Sequence, residues 1–231
     1  MGRPKLFDRA EVLERALDVF WELGYHEASI RRLAAAMDIN VATVFSEFGD
    51  KQGLYAHALE NYETLKLPLF IGALERPGAD LQTVLQVLRD FAQFAASGTA
   101  PGCLITNSAI EFAPDPQRSQ DALTRYIERL QSAYGHALSA STSTTGAPLH
   151  ETQTLLNQAR SLAVSTLGLF VMIRAKVAPE IVHDTVEGTI AILLSALPAA
   201  SVADSDTAPH DRSITPGIAG STSANRKGLA P

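Results

Sequence analysis

Hydrophobic residues recur at intervals of three and four along most of the chain, which is the spacing of amphipathic α-helices. In the N-terminal part this spacing predicts four helices, and residues with capping side chains mark where they begin. A turn of only three residues separates the second helix from the third. The predicted helices run from Asp8 to Gly24, from Ser29, from just after Asn40, and from Lys51 towards Pro68.

A break rich in proline and glycine at residues 76–80 separates these helices from a second set. The same periodicity predicts five more helices near residues 80–97, 103–113, 116–140, 150–176 and 179–197. No alternating strand pattern competes with them, so we predict an all-α fold. We expect a three-helix helix-turn-helix domain over residues 1–66 and a helical domain over 67–198. Residues 199–231 hold few large apolar side chains, and a disordered tail is expected there.

The composition is that of an ordinary globular protein with more acidic than basic side chains. Hydrophobic residues make up 46% of the chain, and the formal net charge is −6. Residues 1–66 hold 8 basic and 11 acidic side chains, so a polyanion such as DNA requires positive charge that is placed locally. No long apolar run or signal peptide is evident, and Cys103 is the only cysteine. We therefore expect a cytoplasmic protein that has no membrane partner and no intrachain disulfide.

Enzyme chemistry finds little support in the chain. The six histidines show no metal-ligand spacing, and no glycine-rich phosphate loop or nucleophile motif follows a strand. We predict a protein that is not an enzyme and has no cofactor and no metal.

Cations stand at unusual places in the segment from Ser29 to Phe48, which has the arrangement of a helix-turn-helix. Arg31 and Arg32 fall in the first turn of their helix, where the helix dipole disfavours positive charge. Lys51 also stands at the start of a helix, where backbone amides can bind a phosphate. The pattern favours a shared DNA ligand, and packed helices with solvated charges are the alternative.

The first 66 residues resemble the DNA-binding domain of the TetR family of regulators. The second domain is less similar, although Pro101-Gly102-Cys103-Leu104 with Asn107 and Glu111 resembles the opening of a helix in one branch of that family. The matching segments of the first domain are Gly2–Pro4, Ala16–Phe20 through Gly24-Tyr25, Ala28–Ala34, Asn40–Phe45 and Phe48–Leu54.

The resemblance implies a set of DNA-binding residues. Thr43 and Val41 would face base edges, Asn40 would cap the recognition helix, and Arg3 and Lys5 would form an arm that reaches a neighbouring groove. The remaining members would lie along the phosphates: Ser29, Arg31, Phe45 and Lys51. Phe45 and Glu47 stand where the family usually has Tyr and His, which implies weaker contact with the DNA backbone. Asp38 stands where glycine is usual.

The last two predicted helices carry stripes of small and apolar residues. Taken alone, such stripes indicate either internal core or an interface. The resemblance implies a homodimer built from both helices, with a twofold axis that matches a palindromic operator. The stripes consist of Leu155, Ala159, Leu162, Thr166 and Leu169 on one helix, and of Ile181, Thr185, Gly188 and Ile192 on the other.

Aromatic and polar residues between the two regions fit either a pocket for a small effector or an ordinary core. Glu111 pairs with a cationic ligand, or it is an exposed carboxylate at a helix end. Cys103 senses oxidants or electrophiles, or it is a small buried hydrophobe. The candidate effector-binding residues are Phe91, Phe94, Cys103, Asn107, Glu111, Tyr126, Tyr134 and Phe170.

The sequence therefore predicts a regulator that binds double-stranded operator DNA, and the family habit favours a repressor that a small-molecule effector releases. The effector would shift the fourth helix and thereby the spacing of the paired recognition helices. The alternative is a dimeric helical ligand-binding or interaction module whose DNA binding is weak or lost.

Overall fold

The protein is described here by a computed structural model that covers residues 8–98, 100–113, 115, 119–140 and 152–196. These residues form ten α-helices and no strand, which confirms the all-α prediction. The helices are α1 Arg9–Leu23, α2 Ile30–Met37, α3 Val41–Phe48, α4 Lys51–Leu65, α5 Leu67–Ile71, α6 Leu81–Ala96, α7 Leu104–Glu111, α8 Gln120–Ser139, α9 Thr152–Arg174 and α10 Pro179–Ser195.

Side-chain caps fix the starts of the first four helices. Each of these caps accepts a hydrogen bond from a backbone amide in the first turn, which would otherwise lack a partner. The cap residues are Asp8, Ser29, Asn40 and Asp50, and their partners are the amides of Ala10, Arg32, Thr43 and Gly53. The predicted starts of these helices are confirmed because the capping signal is local to the sequence.

The fourth helix ends earlier than the sequence predicted. α4 stops at Leu65, and a separate short helix, α5, carries Pro68 in its first turn. Proline has no backbone N–H, so it cannot extend the hydrogen-bond ladder of a preceding helix but can begin a new one. The connector between the N-terminal helices and the rest is therefore two helices rather than one.

The second region is a helical layer in which α8 packs along α9 and α6 packs against α10. α7 lies between this layer and the N-terminal helices, because it contacts α4 as well as α8 and α9. The described helices match the predicted positions, with α8 beginning at Gln120 instead of 116.

The stripe predicted on α9 as part of the dimer interface is buried inside the protomer. Thr166 is fully buried and its hydroxyl lies 2.7 Å from the Tyr134 hydroxyl of α8, so the first stripe is core. The stripe on α10 is exposed instead, with Ile192 at 74% accessibility. The opposite face of α9 is exposed as well and presents Val164 and Val171. The periodicity indicates an apolar helix, but it does not tell which of the two apolar faces α8 covers.

Several predictions concern residues outside the described part of the chain, namely the arm residues Arg3 and Lys5 and the tail at 199–231. Within the described part, the segment Gln153–Arg174 of α9 is long and apolar enough to span a membrane by length and composition alone. Its apolar character is explained in the fold by one face that packs on α8 and a second face that carries Val164 and Val171.

Candidate nucleic-acid interface

The N-terminus of α3 is organised by Asn40. Its side-chain oxygen accepts hydrogen bonds from the Thr43 backbone amide at 2.7 Å and from the Thr43 hydroxyl at 3.0 Å. The Thr43 side chain is half-buried, and these bonds hold it in one orientation at the start of the helix. The predicted capping role of Asn40 is confirmed.

The exposed face of α3 differs slightly from the predicted one. Phe45 is 49% exposed, whereas Val41 is half-buried and packs against the core of the N-terminal helices. Ala42 and Ser46 are exposed on the same short helix, although the sequence analysis did not select them. Their small side chains gave no chemical signal, and only the orientation of α3 reveals that they lie at its surface.

The turn between α2 and α3 has the geometry of a helix-turn-helix. Asp38 takes a left-handed conformation with φ of 55°, and its amide bonds to the Ala34 and Ala35 carbonyls at the end of α2. Aspartate tolerates this region better than most side chains, so the turn forms without the usual glycine.

The predicted phosphate contacts fall into two groups. Ser29 and Arg31 are exposed at the start of α2, where Ser29 also caps the helix. Lys51 is half-buried instead, because its ammonium donates to the His26 carbonyl at 3.3 Å and lies 4.5 Å from the centre of the Tyr25 ring. Burial lowers the pKa of Lys51. Lys51 therefore joins the start of α4 to the turn before α2, and its predicted phosphate contact would use only its remaining N–H groups.

Glu111 is not the free surface carboxylate of one prediction, whereas its pairing with a cationic ligand stays a prediction. Its carboxylate accepts hydrogen bonds from the backbone amides of Tyr25 at 2.8 Å and His26 at 3.1 Å. The carboxylate at the end of α7 thus holds the turn that leads into α2. Sequence could not show this contact because the partners are about 85 positions apart.

Gly24 is required by this contact. Its φ is 84°, and a Cβ atom at this position would lie 2.7 Å from a carboxylate oxygen of Glu111. A larger residue would be strained by the backbone conformation and would also displace the carboxylate.

Further contacts join the N-terminal helices to the second region. The Trp21 indole donates to the Gly102 carbonyl at 2.9 Å, and the Tyr55 hydroxyl bonds to Ser108 of α7. From the end of α9, the Arg174 guanidinium donates to the carbonyls of Trp21 and Glu22. The segment before α7 and the end of α9 are therefore bonded to the end of α1. The end of α7 is bonded to the turn that follows α1.

The candidate effector residues separate into distinct environments. Phe91 and Phe170 are edge-to-face neighbours with ring centres 5.0 Å apart, and Phe70 contacts both of them and Phe94. Tyr134 is bonded to Thr166. These residues are packed in the core of the second region.

Asn107 is also tied to the backbone, since its side-chain amide donates to the Pro101 carbonyl at 3.0 Å. Two surface grooves of about 330 and 310 Å³ lie along α8, and none of the candidate effector residues lines them. The first is bordered by Leu156 and Arg160 of α9, and the second by Glu75 and Arg129.

Of the candidate effector residues, Cys103 and Tyr126 lie next to each other. Tyr62 of α4, which the sequence did not single out, also lies beside Cys103. Cys103 precedes α7 and is fully buried, and this burial raises the pKa of its thiol. The thiolate that a cysteine sensor requires is therefore disfavoured. Tyr62 resembled ordinary α4 core because it follows the same spacing as Tyr55 and Leu59.

Comparisons with known proteins agree with this architecture. Residues 12–58 match the family described as bacterial regulatory proteins, tetR family. The chain is 36% identical over 148 residues to the uncharacterized HTH-type transcriptional regulator YezE of Bacillus subtilis. This match covers 60% of this chain and 72% of YezE. It is 30% identical to the HTH-type transcriptional repressor ComR of Escherichia coli, over 49% of this chain and 55% of ComR.

Solved structures give the same answer for the whole fold. The TetR family regulator CifR, solved as a cysteine mutant with a 26-bp double-strand operator, is 27% identical with a TM-score of 0.69. That match covers 82% of this chain and 98% of CifR. NalD of Pseudomonas aeruginosa, at 20% identity and a TM-score of 0.55, shares the fold.

The capped recognition helix, the tight turn before it and the helical second region define a helix-turn-helix transcriptional regulator. The chain belongs to the TetR family of bacterial regulatory proteins.

Proposed function

We propose that this protein is a homodimeric repressor that binds palindromic operator DNA in the cytoplasm and leaves it when a small effector binds the second region. The domains run over residues 1–66 and 67–198. Repression accords with the name of the relative ComR, and operator binding with the CifR complex. This function requires no catalytic step.

The observation that carries the proposal is the exposed N-terminus of α3. Asn40 fixes Thr43 there, and Phe45 is exposed along the same helix. Because the Thr43 hydroxyl donates to Asn40, its oxygen is left to accept from an adenine or cytosine amino group, and its methyl group fits a thymine methyl. Arg31 and Ser29 supply phosphate contacts at the start of α2, and the arm residues Arg3 and Lys5 reach a neighbouring groove.

Dimerisation uses the exposed faces of α9 and α10. Val164, Val171, Ile181 and Ile192 are apolar and exposed in the single chain, and small residues such as Gly168 and Gly188 between them allow close helix approach. A twofold axis through this face places the two recognition helices on half-sites about 34–36 Å apart.

Effector binding acts through α4 and α7. α4 carries Lys51 at its start, and α7 holds the turn before α2 through Glu111. A ligand that binds better when these helices are displaced shifts the population away from the spacing that fits the operator.

The test is a binding titration with the intergenic DNA beside the protein's own gene. We expect a discrete retarded complex whose affinity falls at least about tenfold for Thr43→Ala, because one base contact per half-site is lost. The exposed substitution Gln52→Ala beside the same helix is the control and should bind like the unmodified protein. Weak, nonspecific retardation that Thr43→Ala leaves unchanged would favour the alternative, a helical ligand-binding module that has lost DNA binding.

A further inference from the structure

Three exposed side chains share the outward surface of α3. They belong to Ala42, Phe45 and Ser46, which stand three and four positions apart and therefore lie on one face of the helix. Phe45 is the largest of them and is 49% exposed. We call Ala42, Phe45 and Ser46 the outer face of α3. An aromatic ring and a methyl group make up most of this face.

α3 has no side-chain hydrogen-bond donor left for DNA. None of its eight residues, Val41–Phe48, carries a side-chain nitrogen. Its two hydroxyl groups already donate within the protein, from Thr43 to the Asn40 side-chain oxygen at 3.0 Å and from Ser46 to the Thr43 carbonyl at 3.1 Å. The remaining polar side chain, Glu47, is a carboxylate and only accepts.

The lack of a donor limits what the outer face of α3 can read in the major groove. Guanine presents two acceptors there, N7 and O6, and proteins usually bind both with the N–H groups of arginine or lysine. Thymine presents one acceptor, O4, and its C5-methyl group. Of these features, an apolar face without a donor can bind only the methyl group.

Phe45 also lacks the group that a phosphate contact requires. The resemblance to the TetR family implies a position along the phosphates, but a phenyl ring has no N–H or O–H group to donate to a phosphate oxygen. Contact with a methyl group removes apolar surface of both partners from water, which is favourable, whereas a phosphate would lose hydration without gaining a partner. The chemistry of Phe45 therefore favours a base edge.

We propose that the outer face of α3 reads the operator through the C5-methyl groups of pyrimidines, and that Phe45 is the residue that determines this specificity. 5-Methylcytosine carries the same methyl group as thymine at the same place in the major groove, so the face accepts either base. This inference rests on the proposed function, which requires α3 to bind DNA and names Thr43 as a base contact but gives Phe45 no base feature to read.

The first experiment removes the thymine methyl groups without changing base pairing. The intergenic DNA beside the protein's own gene is amplified with dUTP in place of dTTP and titrated with the full-length protein. We expect binding at least about fivefold weaker than to thymine DNA, because each buried methyl group contributes roughly fourfold and two half-sites bury at least two. A smaller loss would overturn the proposal.

The variant Phe45→Ala tests which residue reads the methyl groups. It should bind thymine DNA more weakly than the unmodified protein, and its preference for thymine DNA over uracil DNA should fall below about threefold. Gln52→Ala, which changes an exposed side chain at the start of α4, is the matched control and should keep the full preference. A preference that persists in Phe45→Ala would assign the methyl contact to another residue and contradict the proposal.

The second experiment tests whether 5-methylcytosine replaces thymine. At a thymine in each half-site where uracil weakens binding, the base pair is changed to cytosine–guanine or to 5-methylcytosine–guanine in synthetic DNA. The methylated DNA should bind the unmodified protein at least about fivefold more tightly than the unmethylated DNA, and Phe45→Ala should bind the two alike. A smaller gain from methylation would show that the outer face of α3 does not read this group.

Binding to unmodified DNA separates the two levels of inference. If the protein forms a discrete complex with thymine DNA and binds uracil DNA equally well, only methyl reading by Phe45 fails. If no discrete complex forms with thymine DNA, the proposed function itself fails.

Discussion

Asn40 links the stability of α3 to the proposed base contact of Thr43. Its oxygen caps α3 through the Thr43 amide and also orients the Thr43 hydroxyl. The same atom therefore caps the recognition helix and fixes the orientation of the half-buried Thr43 hydroxyl, which is the proposed base contact.

We predict that Asn40→Ala lowers the free energy of unfolding by about 0.5–2 kcal/mol, because the cap of α3 is lost. Asn40→Asp keeps the cap but adds a negative charge next to DNA, so its stability should match the unmodified protein while its operator affinity falls. Urea unfolding and operator titration measure the two effects. Equal operator affinity for Asn40→Asp would place this residue away from the DNA.

Cys103 illustrates how burial decides the chemistry of a residue. Because burial raises the pKa of its thiol, we expect Cys103 in the folded protein to react with iodoacetamide at least about tenfold more slowly than in urea at pH 8. Mass spectrometry of the alkylated protein measures the rate. Rapid alkylation of the folded protein would revive the prediction of an oxidant or electrophile sensor.

At the scale of elements, α7 connects the two regions. Its last residue, Glu111, accepts two amide hydrogen bonds from the turn before α2, and Gly24 leaves the space that the carboxylate needs. A shift of α7 must either carry that turn along or break these bonds.

We predict that Glu111→Gln destabilises this junction by about 1–3 kcal/mol, because a side-chain amide cannot accept from both backbone N–H groups with a full negative charge. Hydrogen exchange at the Tyr25 and His26 amides should accelerate by about tenfold or more. The control is Glu60→Gln, an exposed carboxylate on α4 that pairs with His57. Unchanged exchange at Tyr25 and His26 would contradict the contact.

At the scale of elements, the sequence predicts contacts between residues that are close along the chain but not contacts between distant helices. The α2 and α3 helices and their caps follow from residues three positions apart, so the helix-turn-helix was predictable. The Glu111 contact and the position of Tyr62 beside Cys103 depend on how α4, α7 and α8 pack, and no local pattern encodes that. The stripe on α9 was assigned to the wrong face for the same reason, since a helix with two apolar faces does not indicate which one meets α8.

For the whole molecule, the proposed dimer face on α9 and α10 should determine operator affinity. We predict that Ile192→Glu converts the protein to a monomer and weakens operator binding at least about tenfold, because a charge replaces a residue that is 74% exposed in the single chain and that the proposed dimer would bury. Light scattering would report a mass near the 24.7 kDa of one chain. Leu65→Glu, another exposed apolar position, should remain dimeric. A dimeric Ile192→Glu protein would exclude this face.

The net charge of the whole molecule bears on how operator affinity depends on salt concentration. The net charge is −6, so binding depends on a few local cations, and the dependence of affinity on salt should be modest. Arg31→Gln should reduce the slope of log K against log salt by about 2, one phosphate contact for each protomer. Arg125→Gln removes a cation that is paired with Glu63 and should leave the slope unchanged.

Because Arg174 donates hydrogen bonds to the Trp21 and Glu22 carbonyls, a movement of α9 is transmitted to the end of α1. α9 has 23 residues and is about 34 Å long. Its C-terminal end is bonded to α1, the helix that precedes α2 and α3. Tilting α9 by about 5° about its start displaces that end by about 3 Å, close to the rise of about 3.4 Å per nucleotide along the DNA axis. Very small rotations between two protomers are therefore enough to put one of them out of register with its half of the operator.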